Sequence, residues 1–350
     1  MRDLILGWGV QPVRRGTTSV VPQPVLRKRN GALAPAATLA LLTLLSLPGL
    51  LSAQDISLFL LFAPSLYAQD PTFHIETKLV SVFVNVTDSN GSIVGGLTRD
   101  DFSVTEDGRP QQIAIFERQS ELPLNLTLAI DTSGSVRKDL TEESDAARRF
   151  VHAILRPQDQ MSVLEFATYV RELTPFTNKV SVIDRSLASL HGDFATALYD
   201  AIYLGADRLG PKEGRKVLIV VSDGDDTAKS TTYSQALEQA LRNEVMIYSI
   251  IDVPIEASAG RDLGGEHALI TLAEQTGGKS FYVSGGGLDK AFAQVSDDLR
   301  TQYLLGYYPH HQEPGRTFHR LQVMVPRAAA QDFNIRHKTG YYADSPAKSN

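Results

Sequence analysis

The sequence predicts an α/β domain with a mostly parallel sheet, covered by helices on both faces and flanked by a smaller β-rich region. Three observations predict it. LNLTLAID (124–131) and KVLIVV (216–221) are near-continuous apolar runs, as expected of strands buried on both faces. Amphipathic helical patterns alternate with such runs from residue 124 to about 300, which is how a parallel sheet with crossover helices reads. On either side of that stretch the pattern changes to period-two alternation, as in strands with one wet face.

The N-terminal segment reads as a targeting sequence. Arg27, Lys28 and Arg29 precede an uncharged apolar stretch, GALAPAATLALLTLLSLPGLLSA, that ends in small residues near Ala53. This is the order of a secretory signal, which gives 1–53 as the segment removed on export. The basic cluster lies far from Met1, so the true start is expected nearer residue 27. A second apolar run, Ile56 to Tyr67, ends in SLYAQD and offers cleavage after Ala68 instead. The rival reading is a retained membrane anchor, since residues 31–53 are long enough to span a bilayer. Either reading puts the rest of the chain outside the cytoplasmic membrane: in the periplasm, in the outer envelope, secreted, or anchored with its domains external. The chain has no cysteine, so no lipid attachment through a thiol.

The first β-rich flank is expected over 74–120. Val80, Val82, Val84 and Val86 share one face of a strand, and Asn90-Gly91 marks a turn. Phe102 and Val104 open a second strand, Glu106-Asp107-Gly108 turns it, and Gln112 to Phe116 is read as the returning strand. The C-terminal flank, 302–343, has matching character: YLLGYYP (303–309), HRLQVMV (319–325) and FNIRHKTGYY (333–342), with a turn at Pro314-Gly315. A layer this small needs something to pack on. The two flanks are therefore expected to share one sandwich-like unit, with the central domain, 121–301, inserted between them; two independent flaps are the alternative.

Within the central domain, strands are expected at 124–131, 162–166, 216–221, 245–250 and 279–283, the last at an edge, with Tyr169 to Leu173 as a short antiparallel neighbour of the second. Helices are expected over 140–155, 179–190, 197–209, 232–243, 267–276 and 288–300. Gly277-Gly278 provides a C-cap for the fifth of these.

Composition narrows the function. Hydrophobic residues make up 43% of the chain, so it can build real cores. A net charge of −6 and the lack of a basic patch argue against a nucleic-acid partner. Absent cysteine excludes disulfides, thiolate zinc sites and cysteine nucleophiles. The eight histidines, including adjacent His310 and His311, show no metal-binding spacing and read as exposed or packed side chains.

One constellation stands out. The first buried strand ends in Asp131-Thr132-Ser133-Gly134-Ser135, the next apolar one in Ser222-Asp223-Gly224. Between them GDFATALYD (192–200) sets Thr196 at the start of a helix. The carboxyl ends of strands in an open α/β sheet form its ligand crevice, so the three loops are expected on one rim. Ser133, Ser135 and Thr196 offer neutral hydroxyl oxygens, and Asp131 and Asp223 offer charge. That donor set suits Mg²⁺, which takes about six oxygen ligands and keeps some waters. Few direct anionic ligands leave the ion electron-poor, so a position remains for a carboxylate from a partner. Asp225 and Asp226 lie beside the rim and would tune its field, recruit a second cation or repel acidic partners. A lone D-x-S-x-S is an ordinary capping loop; its combination with a helix-start threonine and S-D-G is much more specific.

These residues resemble the metal-ion-dependent adhesion site of von Willebrand factor A (VWFA) domains, matched at Asp131, Ser133, Ser135, Thr196 and Asp223. More narrowly, GLTRDDFSVTEDGRPQQIAIF before the domain and YLLGYYP, HRLQVMV and GYY after it resemble the VWFA-related domain proteins of Acidobacteria. The likeness runs over about residues 74 to 343. It implies a six-stranded Rossmann-like sheet, Mg²⁺ or Mn²⁺ at the rim (Ca²⁺ also fits), and adhesion to a protein partner through that partner's Asp or Glu. One departure is notable. Relatives often carry G-G-T-A where this chain has Asp193-Phe194-Ala195-Thr196, so the loop is expected to take another path. Phe194 is read as a packed core residue, with an exposed partner contact as the alternative.

Other functional classes fit the sequence less well. A cell-envelope scaffold, in which the metal only orders loops, is the main alternative to metal-dependent binding. Ser135 to Lys138 spells S-x-x-K and Lys338-Thr339-Gly340 spells K-T-G, but S-D-N is missing and the serine falls in the metal loop. Asp131 with Asp223 as a hydrolytic carboxylate pair lacks a clear general base. No nucleotide-binding glycine loop follows the first strand, and Gly285-Gly286-Gly287 reads as a tight connection. The chain is accordingly expected not to be an enzyme.

Overall fold

The computed structural model describes residues 79–118, 121–134, 140–228, 230–252, 263–284, 287–309, 318–326 and 333–343. Residues 1–78, where the targeting segment and its cleavage after Ala53 or Ala68 are expected, Ser135, His310, His311 and the turn expected at Pro314-Gly315 lie outside the described residues.

In chain order the elements are β1 (Val80–Thr87), β2 (Ser103–Glu106), β3 (Arg109–Gln111), β4 (Ile113–Arg118), β5 (Leu124–Asp131), α1 (Leu140–Ile154), β6 (Gln160–Phe166), β7 (Val170–Thr177), α2 (Val180–Leu187) and α3 (Leu198–Leu209). Then follow β8 (Arg215–Ser222), α4 (Tyr233–Arg242), β9 (Met246–Asp252), α5 (Leu263–Thr276), β10 (Ser280–Val283), α6 (Leu288–Arg300), β11 (Tyr303–Tyr307), β12 (Phe318–Met324), β13 (Asn334–Arg336) and β14 (Gly340–Tyr342).

The central sheet has six strands in the order β10-β9-β8-β5-β6-β7, all parallel except β7. Every residue of β5 is buried, which is why its sequence shows no alternation. Its side chains still divide between two faces. Leu126, Leu128 and Ile130 meet Phe150 and Val151 of α1, Ile183 of α2 and Val295 of α6. On the other face Ala129, with Leu164 of β6, meets Ile202 of α3, Ala240 of α4 and Leu272 of α5. Both faces are thus covered by helices, as the sequence predicts. Close packing is enforced at Gly278, where an added Cβ would lie 1.8 Å from the Ile247 carbonyl oxygen. The side chain of Thr232 accepts from the backbone N–H of Gln235 at 3.3 Å, capping the start of α4.

The flanking strands form two antiparallel sheets, β13-β1-β11-β4 and β14-β12-β2-β3. Each draws strands from both sides of the central domain. The inward valines of β1 join Tyr303, Leu305, Tyr307, Leu321 and Val323 in one core. The N- and C-terminal flanks therefore interleave in a single β-rich region.

Two strand assignments differ from the sequence reading. The strand returning from the Glu106 turn is β3, which pairs with β2; Ile113 onward crosses to the other sheet and pairs with β11. Asp107 and Gly108 both have positive φ, as a tight hairpin turn requires, so the return begins at Arg109 at once. Likewise 333–342 is two strands in different sheets, separated at His337 to Thr339. Backbone bonds there go elsewhere: Thr339 N–H donates to the Gln275 carbonyl at the end of α5.

A buried polar network ties the β-rich region to the base of the central sheet. Arg336 donates to both oxygens of Asp298 at 2.8 and 2.6 Å. Tyr248 O–H donates to Asp298 Oδ2 at 2.8 Å, and Asn85 Nδ2 to the Asp298 carbonyl at 3.0 Å. Gln302 links Asn85 to Arg215, at 2.9 and 2.6 Å. Burial and the neighbouring Asp298 carboxylate push the Tyr248 hydroxyl well above its ordinary pKa, keeping it a donor.

Candidate metal centre

From β5 the chain passes to β6 on one side and later returns to β8 on the other. That reversal opens a crevice at the carboxyl ends of the strands. Ile130 pairs with Val221, so the residues that follow, Asp131 and Ser222, lie side by side at the crevice.

Asp131 is buried, at 1% exposure. Its Oδ1 accepts from the Ser133 N–H at 2.9 Å and its Oδ2 from the Ser222 hydroxyl at 2.6 Å. Burial pushes its pKa up to about 7; the hydrogen bonds from Ser222 and Ser133 oppose that rise, and the Asp223 charge adds to it. Asp223 is half-buried and accepts from the Asp225 N–H at 3.3 Å. Asp226 Oδ1 accepts from the Tyr199 N–H at 3.3 Å in the first turn of α3, where a helix favours negative charge.

The threonine loop docks between the two strand-end loops. Asp193 N–H donates to the Thr132 carbonyl at 3.0 Å. Thr196 N–H donates to the Thr227 hydroxyl at 2.8 Å, and the Thr196 carbonyl accepts from Thr227 and Ala228 at 2.9 and 3.0 Å. Buried Thr196 lies just before Ala197, the N-cap of α3. Outside glycine, positive φ among the described residues occurs only at Asp107 and Glu244, so Phe194 and Ala195 need no glycine-like backbone. Phe194 is 88% exposed, which corrects its reading as a core residue. Tyr169, 77% exposed, lies on the turn before β7.

Gly224 fixes the turn after β8. Its φ is +98°, and a Cβ there would come within 2.8 Å of Gly265 C and Glu266 N in α5. The glycine of S-D-G is therefore required both by conformation and by the approach of a helix.

The structure thus brings Asp131, Ser133 and Asp223 to one rim, with Thr196 on the loop tied to it; Ser135 lies outside the described residues. Ser222 and Thr227 were not singled out by sequence reasoning, although Ser222 was visible as the first letter of S-D-G. The donors are all hard oxygens. A buried carboxylate whose ionisation is opposed by burial and by a second carboxylate is in the electrostatic state that a cation relieves. On both counts the residues fit a divalent ion of the Mg²⁺ kind.

A second cluster, missed by sequence reasoning, lies in the β-rich region. Glu106, Asp107 and His319 place one ligand atom each within 4.8 Å of one another, a set able to hold a metal ion. His319 and Glu106 are buried. The Glu106-Asp107 pair was legible only as a turn, and His319 stands 212 residues from Asp107.

Comparison with the curated proteins gave no match. Among solved structures the chain is similar to a conserved hypothetical protein, BatB, from Bacteroides thetaiotaomicron, at 20% identity and TM-score 0.41 over 50% of this chain and 97% of that one. It is similar to the vWF domain of the type V pili tip protein Mfa5 from Porphyromonas gingivalis, at 12% identity and TM-score 0.42 over 50% and 94%. It is also similar to proximal thread matrix protein 1 from the mussel byssus, at 15% identity and TM-score 0.45 over 56% and 51%. Residues 126–225 match the family described as the von Willebrand factor type A domain, and a domain of that type is present in the chain.

Proposed function

We propose that the chain is an exported, non-enzymatic binding protein that engages a protein partner through a divalent metal at Asp131, Ser133, Ser135, Thr196 and Asp223. The observation that carries this reading is the meeting of three oxygen-rich loops that are distant in sequence: Ser133 and Ser222 donate to the buried Asp131 carboxylate, and the Thr196 loop is tied to Thr132 and Thr227 beside it. When bound, Mg²⁺ or Mn²⁺ supplies a Lewis-acidic position that takes up a carboxylate oxygen. The chain's own residues do the rest. Ser222 and the Ser133 backbone aim the two Asp131 oxygens, Gly224 lets β8 turn sharply beneath α5, and Thr227 holds the Thr196 loop in place. The exposed Phe194 ring beside the rim suits a partner contact. The segments on either side of the domain support a narrower placement among the VWFA-related domain proteins of Acidobacteria. Export rests on the sequence of residues 1–53; no described helix is long and apolar enough to cross a membrane.

Titration calorimetry of the full-length chain with Mg²⁺ and with Mn²⁺, beside its Asp131→Ala variant, tests the reading. Heat of Mg²⁺ binding in the parent and none in a folded variant is the expected result, with Mn²⁺ uptake reduced in the variant. No binding by a folded parent, alone or with added glutarate as a carboxylate donor, overturns it in favour of a scaffold.

A further inference from the structure

The cluster in the β-rich region has a donor set of another kind. His319 Nδ1 lies 2.9 Å from Asp107 Oδ2 and 3.5 Å from Glu106 Oε1. The other Glu106 oxygen, Oε2, accepts from Tyr307 O–H at 2.5 Å and Tyr341 O–H at 3.1 Å. Asp107 Oδ1 accepts from the Arg320 N–H at 3.0 Å. Each carboxylate therefore has one oxygen fixed by hydrogen bonds, while the other faces the imidazole. Tyr307 stands on β11 in one sheet and Tyr341 on β14 in the other, so Glu106 is oriented from both layers. Burial holds both phenols above their ordinary pKa, so they remain donors to a carboxylate. The His319 ring stacks on Tyr341 with centroids 5.4 Å apart, which fixes its plane.

Charge is the difficulty this arrangement poses. Two carboxylates and one imidazole sit together, with side-chain exposures of 2%, 15% and 1% for Glu106, Asp107 and His319. Buried charge is retained only where it is paired or coordinates a metal. A proton on the imidazole neutralises one carboxylate. It also makes Nε2 a charged donor, and that buried atom has no hydrogen-bond partner among the described residues. A divalent cation at Nδ1 balances both carboxylates and leaves a neutral ring, whose Nε2–H is still without a partner but is a weaker, uncharged donor that costs less to bury. The spacing is compatible: ligands of a tetrahedral ion with bonds of about 2.0 Å stand roughly 3.3 Å apart. Glu106 and His319 are near that separation, and Asp107 has to move back by about 0.4 Å.

We propose that Glu106, Asp107 and His319 form a transition-metal site, selective for Zn²⁺ over Mg²⁺, that staples the two flanks of the central domain together. A nitrogen donor with two carboxylates selects zinc over magnesium, whereas the all-oxygen rim at Asp131 does the reverse. The staple joins residues 106–107, before the domain, to residue 319, after it, and closes a loop of about 210 residues. In a chain without cysteine it does the work that a disulfide does elsewhere. The site is independent of the binding reading at the rim.

The test uses the full-length Asp131→Asn chain, in which the rim is disabled, with millimolar Mg²⁺ present throughout. Titration with Zn²⁺ should show one equivalent bound and raise the thermal midpoint by several degrees. The same chain with His319→Gln should lose both effects. Absence of zinc binding by the folded Asp131→Asn chain, or undiminished uptake after His319→Gln, overturns the proposal and leaves a hydrogen-bonded cluster that holds no metal. Should the His319 variant not fold, zinc-edge X-ray absorption on the Asp131→Asn chain decides: one imidazole with oxygen neighbours supports the site, and any other ligand set refutes it.

Discussion

Replacing Asp131 by Asn should stabilise the protein in chelator while abolishing metal binding, and the size of the gain follows from the structure. The carboxyl is buried, and its pKa in the folded state is about 7, against 3.8 for an unperturbed group. The unfolded chain therefore releases this proton at lower pH than the folded chain does. Stability lost in this way begins near the unfolded pKa and is complete above the folded one. At about 1.36 kcal/mol per pKa unit, the parent gives up roughly 4 kcal/mol between pH 4 and pH 8. Asn keeps the acceptor for the Ser133 N–H but turns an amide toward Ser222, whose hydroxyl proton loses its partner, at a cost of about 1 kcal/mol. The expected net gain is about 3 kcal/mol at pH 8, or on the order of ten degrees in Tm, with no gain at pH 4. Thermal or denaturant unfolding of both proteins in EDTA, from pH 4 to pH 8, measures it. Saturating Mg²⁺ should then stabilise the parent alone. A pH-independent difference, or a variant less stable than the parent at pH 8, would refute this account of the Asp131 environment.

Three further outcomes are expected. Gly224→Ala places a Cβ at 2.8 Å from α5 backbone at a φ of +98°, so it should cost about 2–3 kcal/mol by denaturant titration and also abolish metal binding. Arg336→Met removes the cationic partner of Asp298, whose side chain is only 9% exposed, and should cost about 3 kcal/mol or more; adding Asp298→Leu should recover part of that loss. Phe194→Ala, at a residue 88% exposed, should leave stability within about 0.5 kcal/mol while slowing or weakening partner capture in a surface-binding assay.

The central domain was legible because its two signals are local. Strands buried on both faces give apolar runs such as LNLTLAID, and helices with one buried stripe give a helical period, so order and type could be read directly. The rim was legible for a related reason: Asp131 and Asp223 end such runs, and strand ends in this architecture converge. The β-rich region was less legible. Period-two alternation reports which side of a strand is buried but not which sheet the strand joins, so the crossing after Gln111 and the break at His337 to Thr339 left no trace. Phe194 was misread because an aromatic residue carries no mark of the loop that exposes it. His319 was missed because its partners lie more than two hundred positions upstream, and only interleaved flanks bring them together.

That interleaving has a mechanical consequence. Tension applied between Leu79 and Ala343 enters at β1, which is bonded on both sides to β11 and β13, and leaves at β14 through β12. The six-stranded central sheet takes no part in these strand pairings, and it is fastened to them from the side by Arg336 on Asp298 and Thr339 on Gln275. A pull on a tethered chain would be carried by strand shear in the flanking sheets, and the rim would keep its geometry until those sheets gave way. On the proposed binding reading, this arrangement separates the mechanical strength of the flanking sheets from the chemistry of the rim.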